Sequence, residues 1–139
     1  MKRTQLAGPK NLAGRMACFT IALQHSDGAQ TVNADIAIGI KVRMSQNVIA
    51  RHGLEPLRRA LRACQIAGGG AKVMCHIGGV ESVDLMREIL DTLRPGDILT
   101  HCFSGAPNDA GQFTNIVQGG KLLPAARAAK KRGVMFDIG

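Results

Sequence analysis

Four ionisable residues, Lys41, His76, His101 and Asp137, are spaced 35, 25 and 36 positions apart, and each stands late in a short run rich in β-branched and apolar residues. The runs are Ile36 to Arg43 (IAIGIKVR), Lys72 to Ile77 (KVMCHI), Asp97 to Phe103 (DILTHCF) and Gly133 to Gly139 (GVMFDIG). Neutral imidazole nitrogens bind zinc at about 2.0 to 2.1 Å, and a metal held with an open position lowers the pKa of a bound water to roughly 7. His76 and His101 are of the type that such a site needs. A lysine ammonium repels a cation, so Lys41 can serve a metal only after losing its proton. Arg43, two residues beyond Lys41, has the fork geometry to clamp a substrate carboxylate. Blander readings stand beside these. A strand-end lysine snorkels to solvent, a lone histidine is often a hydrogen-bonded core residue, and an arginine often pairs with a carboxylate. His25 and His52 fall in a loop and near a helix start and read as surface residues.

Between the runs lie helical patterns. Leu54 to Ala67 places Leu54, Leu57, Leu61 and Cys64 on one stripe, with arginines opposite and Gly68 to Gly70 as a stop. Ser82 to Leu93 has Ser82 as an N-cap and Val83, Met86, Ile89, Leu90 and Leu93 as its apolar face. A third helix is predicted over Leu122 to Lys131. Strand and helix in alternation give right-handed βαβ units, an α/β fold with a parallel sheet.

Residues two apart in a strand share a face. That rule groups Ile36, Ile38, Ile40 and Val42 against Ala37, Gly39, Lys41 and Arg43, and Val73, Cys75 and Ile77 against Lys72, Met74 and His76. It groups Ile98, Thr100 and Cys102 against Asp97, Leu99 and His101, and Val134, Phe136 and Ile138 against Met135 and Asp137. The first set of each pair is expected to meet a helix layer. The second would then gather Lys41, His76, His101 and Asp137 at the C-terminal mouth of the sheet, where parallel α/β proteins keep their sites whether the sheet is a barrel or open. The Gly-rich pieces at Gly68 to Gly70, Gly78-Gly79 and Gly119-Gly120 match no phosphate-binding pattern and read as turns.

Composition sets the outer limits. The chain has 139 residues, 45% apolar and 20% charged, which suits one globular domain, and its apolar runs fall well short of the ~20 residues that span a bilayer. The basic start followed by a short apolar run is interrupted by Arg15 and ended by Gln24-His25, against a signal peptide. Cys18, Cys64, Cys75 and Cys102 form no CxxC pair, so a reducing, cytoplasmic setting is expected. The net charge of +8 raises nucleic-acid binding, but the basic residues are spread over separate elements and the chain has no Trp, no Tyr and only four Phe on which to stack bases. Solvated helix faces account for the charge more simply.

The segments GIKVRMS, KVMCHIGG, PGDILTHCFSG and RGVMFDIG, in this order and spacing, resemble consecutive strand segments of the amidohydrolase superfamily, in particular its deacetylase and dihydroorotase-like branch. The resemblance covers residues 36–139, read as a partial barrel domain of about four parallel βα units of a TIM (β/α)8 barrel, and leaves residues 1–35 unplaced. It implies a divalent metal site, one or two ions with zinc as the expected metal, in which Lys41, His76 and His101 are ligands and Lys41 carries a carbamate. It implies Arg43 as a substrate-binding residue and Asp137 in a supporting second layer, because the family's catalytic aspartate lies on the following strand. The implied chemistry is hydrolysis of a small-molecule amide, cyclic amide or acetyl ester. The family's HxH pair is absent, the four histidines being His25, His52, His76 and His101. The expectation is therefore a fragment with little or no turnover by itself. The alternative is a non-catalytic α/β module that works by assembly, as a homo-oligomer or with a complementing chain.

Overall fold

The computed structural model describes residues 38–139 other than 69, 106 and 108–114. Strand β1 is Gly39–Arg43, followed by the short helix α1, Gln46–Ile49, a 3₁₀ turn at Ala50–His52 and helix α2, Glu55–Ala67. Then come β2 (Lys72–His76), α3 (Val83–Thr92), β3 (Ile98–Thr100), a hairpin of β4 (Val117–Gln118) and β5 (Lys121–Leu122), α4 (Pro124–Arg132) and β6 (Met135–Asp137). Four strands form one sheet in the order β1-β2-β3-β6, parallel throughout. This is the α/β arrangement that the alternation of runs predicts.

Local chemistry sets the helix ends. The Ser82 hydroxyl accepts from the Leu85 amide at 3.1 Å, the N-cap expected of that residue. Helix α4 starts two residues later than expected: Pro124 occupies its first turn, where a missing N–H costs nothing, and Leu122 belongs to β5. Gly119 and Gly120, at φ +56° and +72°, make the tight turn of the hairpin, a conformation for which glycine carries no steric penalty. Gly70 also lies in a turn and Gly78-Gly79 in a bend between elements, while Gly69 lies outside the described residues.

The helix-facing side of the sheet is dry. Ile40, Val42, Val73, Cys75 and Leu99 are 0–3% exposed and pack in one core with Leu57, Met86, Ile89 and Leu90. At the N-terminal end of β3 the fully buried Asp97 carboxylate accepts from the Val73 amide at 2.8 Å and from Arg94 through its backbone N, Nε and Nη2, at 2.8, 3.0 and 3.0 Å. These bonds satisfy a buried charge and fix the turn that enters β3.

The register corrects one sequence expectation. Met74 stands beside Ile98, Cys75 beside Leu99 and His76 beside Thr100, so Ile98 and Thr100 lie on the face of Met74 and His76, while Leu99 faces the helices. The alternation reading of β3 is therefore inverted. Its two candidate faces each mixed apolar and polar residues, so composition could not orient the strand. Buried Asp97, whose side chain serves the entry turn, does not count toward an open face. Strands β2, β3 and β6 are also shorter than the predicted runs; β3 stops at Thr100, where His101 takes φ +67°. Residues 1–35, with Cys18, His25 and the basic start, together with Ile36 and Ala37 of the first predicted run, lie outside the described residues.

Candidate functional site

The face of the sheet turned away from the helices carries the candidate groups. Lys41 is paired in register with Met74, and Arg43 with His76, so these four side chains share that face. Thr100 and Asp137 are paired in register beside them, and the Thr100 hydroxyl donates to Asp137 Oδ2 at 2.7 Å. Lys41, Met74, His76 and Ile98 are half-buried, while Arg43, Met135 and Asp137 are exposed. The Arg43 guanidinium donates to the buried Ser45 hydroxyl through Nε at 3.3 Å.

His101 reaches the same place by another route. Alternation along β3 would send its side chain with Leu99 into the helix layer. Its left-handed backbone turns the ring back instead, and the His76 and His101 ring centroids lie 4.2 Å apart with a tilt of 56°. The Asn115 side-chain amide donates to the His101 carbonyl at 2.9 Å and to the Ser104 hydroxyl at 2.8 Å, closing the loop after β3. Sequence reading missed Asn115 and Thr100. Asn115 precedes a two-residue strand and no spacing rule ties it to a histidine fourteen positions earlier.

The electrostatics favour a neutral imidazole. Burial, and then the positive neighbours His101, Lys41 and Arg43, push the His76 pKa down to about 4. At neutral pH the His76 ring thus offers a nitrogen lone pair, the form that a divalent cation requires. The paired imidazoles fit part of a metal site. Among the described residues no group of three His, Cys, Asp and Glu side chains is assembled for a metal. His52 is exposed, as expected. Cys64, Cys75 and Cys102 are free thiols, and burial pushes the pKa of each up, which makes them poor ligands.

No family model matches the chain. Curated relatives do: it is 39% identical over 106 residues to a deacetylase of Enterococcus faecalis and 31% identical over 107 residues to a deacetylase of Brucella anthropi. These alignments cover 76% and 77% of the chain. In fold, a crystal structure of an adenine deaminase superposes with a TM-score of 0.64 and 34% identity over 81% of the chain, and one of a dihydroorotase with 0.61 and 28% over 79%. In sequence and in fold the chain is similar to deacetylases and to two amidohydrolase-superfamily structures. The same alignments cover 27% and 24% of the deacetylases and 29% and 26% of the two solved chains, so the chain spans about a quarter of the length of its relatives. Four parallel strands with their helices are consistent with part of the TIM barrel of these neighbours. Among the described residues no helix is long and apolar enough to cross a membrane.

Proposed function

We propose that the chain carries part of the centre of a metal-dependent hydrolase that opens an amide, cyclic amide or acetyl ester bond in a small molecule. The observation that carries this reading is the His76–His101 ring pair at the mouth of the sheet, with His76 held neutral. His76 and His101 would hold a divalent metal, zinc by the chemistry of two imidazoles, and Lys41 would be the third donor after conversion to a carbamate. When bound, the metal supplies Lewis acidity and a water of lowered pKa. Lys41 supplies its negative charge only in the carbamate form, which the Arg43 guanidinium on the same face favours. Arg43 presents its guanidinium to a carboxylate of the substrate, and Asp137, tied to Thr100, orders the strand end beside the two histidines.

The family's HxH pair does not occur in these 139 residues. Turnover by this chain alone is therefore expected to be slight, and completion of the site would require further barrel strands. The test is the zinc content of the purified chain and of its His76→Ala and His101→Ala variants, with a carbon-13 carbonyl signal from labelled bicarbonate that disappears in Lys41→Arg. Zinc content unchanged by both histidine variants would sink the reading.

A second reading, assembly with another chain, draws support from the large apolar residues left uncovered: Ile38, Phe103, Met135 and Ile138 are 47–75% exposed. Its check is the mass of the chain in solution by light scattering. A monomer at all concentrations would count against self-assembly.

A further inference from the structure

We propose that Asn115 is the positioning residue of the metal centre, its side-chain amide holding the backbone turn that carries the His101 ring to His76. The inference rests on the reading of His76 and His101 as ligands. The register of β2 and β3 gives the place beside His76 to Thr100, so His101 is one residue out of step for a site on that face. Only its φ of +67° returns it. A residue with a Cβ is strained in such a backbone and keeps it where the surroundings over-determine the turn. Asn115 does this from a buried position, at 2% exposure, with Nδ2 donating at 2.9 Å to the carbonyl of His101 and at 2.8 Å to the hydroxyl of Ser104. A carbonyl oxygen only accepts, so the amide nitrogen must be the atom that faces it.

Asn115 is itself anchored. The Leu123 amide donates to the Ile116 carbonyl at 2.8 Å, which ties the residue after Asn115 to the start of α4, and Ile116 is buried in the core. The histidine that the alternation rule would misplace is thus set by a side chain fourteen residues on in the same β3–α4 connection, braced by the hairpin and α4.

The test uses the full chain and two variants. In Asn115→Gly the left-handed backbone at residue 115, φ +44°, remains accessible but the amide is gone. Asn115→Asp keeps the volume and offers no donor to the carbonyl. Two readouts separate positioning from folding: the nuclear Overhauser contact between the His76 and His101 rings in metal-free protein, and the cobalt(II) dissociation constant followed by visible absorption. Circular dichroism identifies the variant that is folded. The expected result is a ring contact present in the parent and lost in each folded variant, with cobalt binding weakened at least about tenfold. Retention of the ring contact and of cobalt affinity in a folded variant overturns the proposal, as does absence of the contact in the parent. If the parent shows the contact but binds no cobalt, the metal reading fails, and loss of the contact in the variants still upholds the role of Asn115.

Discussion

The Thr100 hydroxyl bonds the Asp137 carboxylate across β3 and β6 at 2.7 Å, and the Gly139 amide donates to the same oxygen at 3.1 Å. One carboxylate thereby pins the last strand to the site face. Thr100→Val keeps the shape and removes the donor. It should destabilise the chain by about 1–2 kcal/mol, the range for a hydrogen bond to a charged group in a partly exposed setting. A lowered urea midpoint with unchanged slope is the expected observation, and an unchanged midpoint would argue that the bond contributes nothing.

Asp97 should matter more. Its carboxylate is fully buried and holds the Val73 amide and three Arg94 nitrogens, while Arg94 also reaches the Ala71 carbonyl at 3.2 Å. Asp97→Ala leaves those donors unpaired and should cost about 3–5 kcal/mol, as for a broken buried ion pair. Chemical denaturation measures it, and a loss under about 1 kcal/mol would contradict the assigned role.

The lowered pKa of His76 predicts a pH dependence. Between about 4 in the native chain and the ordinary 6.5 of an unfolded histidine, the unfolded state binds more protons at this residue. Stability from His76 therefore rises with pH across that window and is lost as pH falls through it. His76→Gln should flatten the difference between urea midpoints measured near about pH 7 and near about pH 5. Equal slopes in both proteins would remove His76 as the source.

Zinc should stabilise the folded chain. A ligand that binds only the native state at about a hundredfold over its dissociation constant adds about 2.7 kcal/mol. The thermal midpoint should rise with zinc, fall back with chelator and be indifferent to zinc in His101→Ala. A zinc response that survives in that variant would place the ion elsewhere.

The sequence by itself determined the alternation of strands and helices, the Ser82 cap, the faces of β1, β2 and β6, and the strand-end location of His76, whereas Lys41 stands in the middle of β1. Those features follow from local periodicity, whose signal is strong where one face is plainly apolar. The family resemblance also rested on local segments in order, and the relatives and fold bear it out. The tertiary structure alone decided the face of β3, the hairpin before α4 and the way His101 enters the site. In β3 the apolar content of the two faces was balanced, so the register against β2 chose between them. The turn at His101 depends on an amide fourteen residues away, and a hydrogen bond of that span leaves no trace in the spacing of the residues it joins.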